Sequence, residues 1–438
     1  MWQVLNNFFQ NWCKQDAQAN PRRKWLAMRG KSAGCEGWIG LDQSRVKWLI
    51  CPDKRQFPVI LCENGPEATP VLFEQAAETV VVWNPADLPA ALARLDVVRA
   101  AGAWVAGYVA YEAGYALEPK LGHLMPKLRE GPVLAFGVYK GPVAADRVIE
   151  RARAEARDVI MDEPVPKISR QDYDAAFAKV AAYIAAGDCY QINLTFPMEA
   201  QLLRGTALGL YGALRARQRV GHGVFCDLGA GPVVVSRSPE LFFTVDAAGQ
   251  ISARPMKGTA PRDADPLRDA EIAADLQTSQ KDRAENLMIV DLLRNDISKL
   301  SVVGSVKVPE LFKVEPFATV HQMSSRVVGR LAGTPGLADL LAALFPCGSI
   351  TGAPKIRAME IIREVEPHPR GAYCGAMGWM APDGRASFNV AIRTLRLFED
   401  GRVAMNVGGG VVHDSTATGE WEEALWKARF AEGLARRV

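Results

Sequence analysis

The sequence predicts an α+β protein, antiparallel β-sheets with helices packed outside them. The segments LFFTVDAAGQISARPM (241–256) and VAIRTLRLFEDGRVAMNVGGGVV (390–412) each read as two apolar strands joined by a polar turn, at AAGQ and at EDGR. Helical segments stand between such hairpins rather than in regular β-α-β alternation, which favours antiparallel pairing. A length of 438 residues, 49% hydrophobic and 23% charged, supplies a large core.

The elements follow in order. VKWLICP (46–52) and TVVVWNP (79–85) read as short strands. PADLPAALARLDVVRAAG (85–102) reads as a helix opened by proline and closed by Gly102. WVAGYVAYEAGY (104–115) is a strand running into a glycine-punctuated turn. The charged run AADRVIERARAEARD (144–158) and the proline-bearing MDEPVPKISR (161–170) form the best linker, with a boundary near 160–168. Beyond it, SRQDYDAAFAKVAAYIAAGD (169–188) has a serine cap, helical spacing and a glycine stop, and CYQINLTFPM (189–198) alternates as a strand. Residues 265–300 are strongly helical with room for breaks, and GEWEEALWKARFAEGLARRV (419–438) is a closing helix.

Charge and cysteine usage exclude several classes. Lys+Arg 52 against Asp+Glu 49 leaves +3, no footprint for nucleic acid or an anionic membrane. No apolar run is long enough for a membrane span, and the N-terminus MWQVLNNFFQNWCK lacks the pattern of a secretory signal. The eight cysteines include no CxxC pair, so reduced thiols in a cytoplasmic protein are the expectation. Five histidines without HExxH spacing, and no G-x-S-x-G elbow, disfavour a zinc or serine hydrolase.

Some residues carry chemistry. Asp282 with Glu285, and Glu420 with Glu423, are i,i+3 pairs that share a helix face. If the two faces meet, they form an oxygen-rich site suited to Mg²⁺; otherwise they are ordinary solvated faces. GSITGAPK (348–355) places a helix start after a glycine turn, an anion-binding end, but lacks the P-loop spacing. NVGGGVV (406–412) lets a backbone approach a ligand, or is a plain bulge. Arg393, inside the apolar strand FNVAIRTL, must find an anion, whether a ligand or a structural carboxylate. His321, in ATVHQMSS, reads first as a satisfied core histidine. Lys257 sits between Pro255 and Gly258 after a strand, and nucleophilic work would require burial or a nearby cation to lower its pKa.

Taken together, RSPEL, RPMKGTAPR, KDRAENLMIVDLLRND, FPCGSITGAPK, RGAYCGAMGW, FNVAIRTL, GGGVVHDST and GEWEEALWKA resemble the chorismate-utilising enzymes, in the family's order and over roughly 169–431. The resemblance implies a pair of packed, mostly antiparallel sheets flanked by helices. It also implies that an N-terminal region 1–165 and a chorismate-binding region 166–438 share one folded body. Family members that add water carry a lysine where this chain has Gln191, and anthranilate-forming members carry alanine where it has Lys257. The pair therefore resembles the aminodeoxychorismate-forming branch, which aminates chorismate at C4 on the way to p-aminobenzoate and folate.

The roles the resemblance implies fall on named residues. Glu285 and Glu423 match Mg²⁺ ligands, and Asp282 and Glu420 match residues holding the ion through water. Tyr373, Arg393, Gly408 and Gly410 match contacts to the enolpyruvyl carboxylate, and Ser349 and Lys427 match ring-carboxylate and ion-shell positions. Glu240 matches the general acid, His321 a group beside the departing oxygen, and Lys257 a nucleophile that adds at C2 before ammonia enters at C4. No stretch resembles a glutamine amidotransferase, so a separate glutaminase subunit is the implied source of ammonia. The alternatives are anthranilate formation, isochorismate or salicylate formation, and a catalytically silent chorismate-binding subunit that regulates its partner.

Overall fold

A computed structural model describes residues 59–316 and 320–434. Among them, every strand pairing is antiparallel, and the strands form an eleven-stranded and a ten-stranded sheet. In the first, Gln191–Arg204 lies between Gly352–Ala353 and Arg402–Val411, and the order continues through Thr394–Leu397, Val233–Ser236 and Val224–Asp227 to Val59–Cys62. The second runs from Met256–Pro261 through Val320–Arg330, Gln250–Arg254, Leu241–Val245, Ala386–Val390 and Ala376–Met380 to Trp104–Val109. Burial of Ile192, Leu194 and Phe196 on one sheet and Phe243, Ile251 and Phe388 on the other places one extensive core on both. At about 25 cal/mol per Å² of apolar surface removed from water, such burial is the main stabilising term.

Nine elements carry the site. The helices are α1 (Arg170–Ala185), α2 (Pro266–Thr278), α3 (Gln280–Ser298), α4 (Lys355–Val365) and α5 (Ala417–Ala428). The strands are β1 (Gln191–Arg204), β2 (Met256–Pro261), β3 (Val320–Arg330) and β4 (Arg402–Val411). The helix expected at 169–188 is α1, opened by a capping box in which the Ser169 hydroxyl accepts from Asp172 N–H and the Asp172 carboxylate accepts from Ser169 N–H. The helical stretch 265–300 breaks at Ser279, whose hydroxyl caps α3. Both expected hairpins form: Val245 faces Ile251 across AAGQ, and Leu397 faces Val403 across EDGR.

Three expectations need correction. The charged run taken as a linker is a helix, Asp146–Glu155, because Ala152 packs into the space left by Gly212, where a Cβ would stand 2.1 Å from the Ala152 carbonyl. FNVAIRTL is not one strand: Ala386–Val390 belongs to one sheet and Thr394–Leu397 to the other, and the chain crosses between them at Arg393, which has φ +50. Lys257 lies within β2 rather than after a strand, at a register shift between Met256 and Thr259 where Gly258 takes φ +90. The strand expected at VKWLICP lies outside the described residues.

Candidate active site

Register places the glycines. In the β1–β4 pair, Gly408 faces Thr195 and Gly410 faces Asn193, so their Cα–H groups point to the same side of the sheet as Gln191. A Cβ on Gly410 would stand 2.8 Å from Lys257 Nζ and 3.0 Å from Gln191 Cδ. The missing side chain is therefore the space in which the lysine and the glutamine meet. Gly409 points to the opposite side, where a Cβ would lie 2.8 Å from Glu420 Oε2, 3.4 Å from Lys427 Nζ and 3.6 Å from Glu423 Oε1. Thus β4 is thin enough for α5 to bring its carboxylates close to the backbone.

Glu240, Ser349, Lys257 and Gln191 form the inner group. Glu240 is buried and linked to Ser349, and burial pushes its carboxyl up to about 7 against the opposing pull of the Ser349 hydroxyl and the Lys257 charge. Its Oε1 has no hydrogen-bond partner. The Ser238 hydroxyl fixes the loop by accepting from Glu240 N–H and donating to the Val390 carbonyl. Burial and the Lys427 charge lower the Lys257 ammonium, while Glu285, Glu240 and Glu423 oppose them. Gln191 is fully buried, yet neither its Nε2 nor its Oε1 has a partner. A buried amide left unmatched costs about 1–3 kcal/mol, the mark of a position built for a ligand.

The two acidic pairs meet at this group. Glu285, on α3, is raised by burial and by Asp282 and Glu423, with Lys257 and Lys281 opposing. Glu420 is raised by burial and by Glu423, and it accepts from the Ser415 hydroxyl at 2.6 Å. Burial raises Glu423, but the Lys427 ammonium 2.7 Å away, with Lys257 and Lys281, outweighs it and holds the carboxyl below the usual range. Lys427 Nζ also donates to the Gly408 carbonyl at 3.0 Å. Asp282 bonds to the Ser279 hydroxyl within the cap of α3, and its Cβ approaches Gly258. The donors are all carboxylate oxygens, and burial pushes two of them up, so their chemistry fits a hard divalent cation. They are not preassembled: among the described residues no three His, Cys, Asp or Glu side chains cluster tightly enough to hold a metal.

Arg393, Tyr373 and His321 are the remaining residues expected to contact substrate. Arg393 is half-buried and has no acid partner among the described residues; its Nη1 donates to Gln218 Oε1 at 3.1 Å, and burial lowers its pKa. An unpaired guanidinium in this setting invites a carboxylate. Tyr373 is buried beside Cys374, and burial raises its phenol well above the ordinary value. His321, on β3 opposite Ala260, points its Nε2 at Asp269 Oδ1 on α2, 2.8 Å away, and Arg262 holds the same carboxylate. Its buried Nδ1 has no partner, and no hydrogen bond or ion pair among the described residues joins it to Lys257 or Glu240. The structure thus gathers Lys257, Glu240, Gln191, Ser349, Gly410 and the acidic groups, and ties His321 to Asp269 of α2 instead.

Reading the sequence missed the residues that hold Arg393. Arg237 donates to the Gln218 carbonyl at 2.8 Å and from its backbone N–H to the Arg393 carbonyl at 2.9 Å, and it pairs with Glu63. Only the place of Arg237 inside RSPEL signalled this. The five cysteines among the described residues are free and buried, and the Cys347 thiol beside Ser349 is pushed up to about 12 by burial, so it is not a nucleophile.

The chain matches the family described as chorismate binding enzyme over residues 53–433. It is 40% identical over 341 residues to the aminodeoxychorismate synthase component 1 of Klebsiella aerogenes, an alignment spanning 72% of this chain and 74% of that one. It is 45% identical over 260 residues to the protein of the same name from Escherichia coli K12, spanning 59% of this chain and 56% of the relative. The second alignment thus reaches little more than half the relative's length. The crystal structure of anthranilate synthase component I from Streptococcus pneumoniae matches with a TM-score of 0.69 at 24% identity, covering 90% of this chain and 95% of that one, a likeness of fold. By the family match over most of its length, and by its likeness to the Klebsiella relative, the chain belongs to the family of chorismate binding enzymes.

Proposed function

We propose that the chain aminates chorismate at C4, forming 4-amino-4-deoxychorismate with ammonia from a separate glutaminase subunit. The observation that carries the reading is the meeting of Lys257 and Gln191 over Gly410, beside a Glu240 raised to about 7. Water-adding and anthranilate-forming relatives differ at one or the other of the first two positions, and aminodeoxychorismate synthases are the relatives of highest identity reported above.

The chemistry follows from the residues. Arg393 and Tyr373 take the enolpyruvyl carboxylate, with the backbone of Gly408 and Gly410 alongside, and Ser349 and Lys427 face the ring carboxylate. Glu285 and Glu423 would hold Mg²⁺, with Asp282 and Glu420 behind them through water. Such an ion, when bound, supplies electrostatic stabilisation of the ring carboxylate. Lys257, lowered by burial, presents its free amine to C2. As the C2–N bond forms, the ring double bonds shift, the C4–O bond breaks, and Glu240 gives its proton so that the hydroxyl leaves as water. Ammonia admitted past Gln191 then bonds to C4, the double bonds shift back, and Lys257 departs as a neutral amine. The proton lost by the new C4 ammonium restores Glu240. Chorismate and ammonia yield product and water, and Lys257 is regenerated.

The test is to incubate the chain with chorismate, Mg²⁺ and ammonium, then add an aminodeoxychorismate lyase. p-Aminobenzoate is the expected product. Anthranilate, salicylate or no reaction would contradict the reading in favour of the three alternatives in turn. The chain alone is expected to use ammonium but not glutamine, and efficient glutamine use would remove the need for a glutaminase subunit.

A further inference from the structure

Arg370 is only 1% exposed, and its hydrogen bonds reach the segments that carry Gln191, Ser349 and Tyr373. Its Nη2 donates to the Asn193 carbonyl at 2.6 Å, two residues along β1 from Gln191. Its Nη1 donates to the Ile350 carbonyl at 2.8 Å, next to Ser349. Its backbone N–H donates to Glu112 Oε1 at 2.7 Å, and the following Gly371 N–H donates to the same carboxylate, anchoring the turn that leads to Tyr373. Glu366 closes the clamp. It takes Arg370 Nε and Nη2 at 2.8 and 2.7 Å, and its Oε1 also accepts the Thr195 N–H of β1 at 2.8 Å. The guanidinium lies 4.5 Å from the ring centroid of Tyr111, which caps its face.

We infer that Arg370, braced by Glu366 and Glu112, is a positioning residue that sets the separation of Gln191, Ser349 and Tyr373 in the cleft. A buried ion pair adds little net stability, because desolvation offsets its attraction. What an apolar replacement could not supply is the planar fork, whose nitrogens bind two carbonyls on different segments at a fixed distance. Those carbonyls flank the residues argued to face ammonia and the ring carboxylate. A shift of about 1 Å in such a group costs about 100-fold in rate. The inference rests on the amination reading for the meaning of Gln191, and on geometry alone for the clamp.

The experiment compares wild type with Arg370→Lys, which keeps the charge but cannot span both carbonyls. Kinetics with ammonium are read per folded molecule, well below the melting temperature. The clamp predicts kcat lower by about 30-fold, a raised KM for ammonium, and less 4-amino product per chorismate consumed. A lower melting temperature with unchanged kcat, KM and product ratio would make Arg370 merely structural and overturn the inference. If Arg370→Lys does not fold, Glu112→Gln loosens only the turn before Tyr373. It should raise the chorismate KM with the ammonium KM unchanged, and wild-type values for both would equally overturn the clamp. A wild-type enzyme that forms no 4-amino product fails the functional reading instead. The clamp is then judged by chorismate binding, which Arg370→Lys should weaken and which would overturn it if unchanged.

Discussion

Lys257 lies over Gly410: a Cβ on that glycine would stand 2.8 Å from the lysine's terminal nitrogen. The obstructed atom is the end of a flexible side chain, so Gly410→Ala can be accommodated by moving the ammonium and the Gln191 amide away. We expect a loss of kcat/KM of about 30-fold or more with little change in thermal stability. Gly408→Ala should behave in the opposite way, because its Cβ would meet the Leu194 carbonyl at 2.1 Å and the backbone must shift. It should cost about 1–3 kcal/mol of stability. Melting curves beside steady-state kinetics for the two variants check the contrast.

On the proposed reading, Glu240 makes the reaction sensitive to alkali. Its carboxyl, raised to about 7 by burial, must carry a proton to release the hydroxyl, so kcat/KM for chorismate should fall as pH rises through about 7 at fixed free ammonia. Glu240→Gln should lower kcat by about 100-fold or more and remove this limb. Stability has a matching sign. A carboxyl raised in the folded state contributes stability that is present at low pH and lost as pH rises from the ordinary carboxylate range through 7. Denaturant melts of Glu240→Gln and wild type should therefore differ in slope across that window.

On the proposed reading, Glu285 and Glu420, raised chiefly by burial, serve a divalent cation. Chelation should abolish activity and Mg²⁺ should restore it. Glu285→Gln should lower kcat/KM by about 100-fold or more, whereas Asp282→Asn should do less. Asp282→Asn should also weaken the cap of α3 by about 1 kcal/mol, because that side chain bonds to Ser279. Magnesium titrations of each variant measure the difference.

Arg393 leaves no stranded acid when removed, since its side-chain partner is the neutral Gln218. Arg393→Ala should raise the chorismate KM by about 30- to 100-fold, the worth of a charged hydrogen-bonded pair, with a small change in melting temperature. A large fall in melting temperature with an unchanged KM would make Arg393 a structural cation.

The hairpins at AAGQ and EDGR, the cap at Ser169 and the break at Ser279 were legible because each depends on neighbours in the chain. The acidic pairs were legible as helix faces, but their meeting was not, because it depends on how thin β4 is at Gly409. Arg393 was misplaced inside one strand, since switching between sheets leaves no mark except a non-glycine residue at φ +50. Lys257 read as lying after a strand because a bulge within a strand and a turn ending one both use glycine in the left-handed region. Apart from Glu366, four residues earlier, the partners of Arg370 are spread over Glu112, Asn193 and Ile350, and no local pattern joins them. Family resemblance could give the role of Lys257, but only geometry showed Gln191 unmatched beside it.

The site of nitrogen attachment tests the account most directly. Wild type and Lys257→Ala are each incubated with chorismate, Mg²⁺ and ¹⁵N-ammonium, and the products are read by NMR and mass spectrometry. The account predicts ¹⁵N at ring C4 with wild type and loss of that product, by at least about 100-fold, with Lys257→Ala. Label at C2, or full C4 amination by Lys257→Ala, would contradict it.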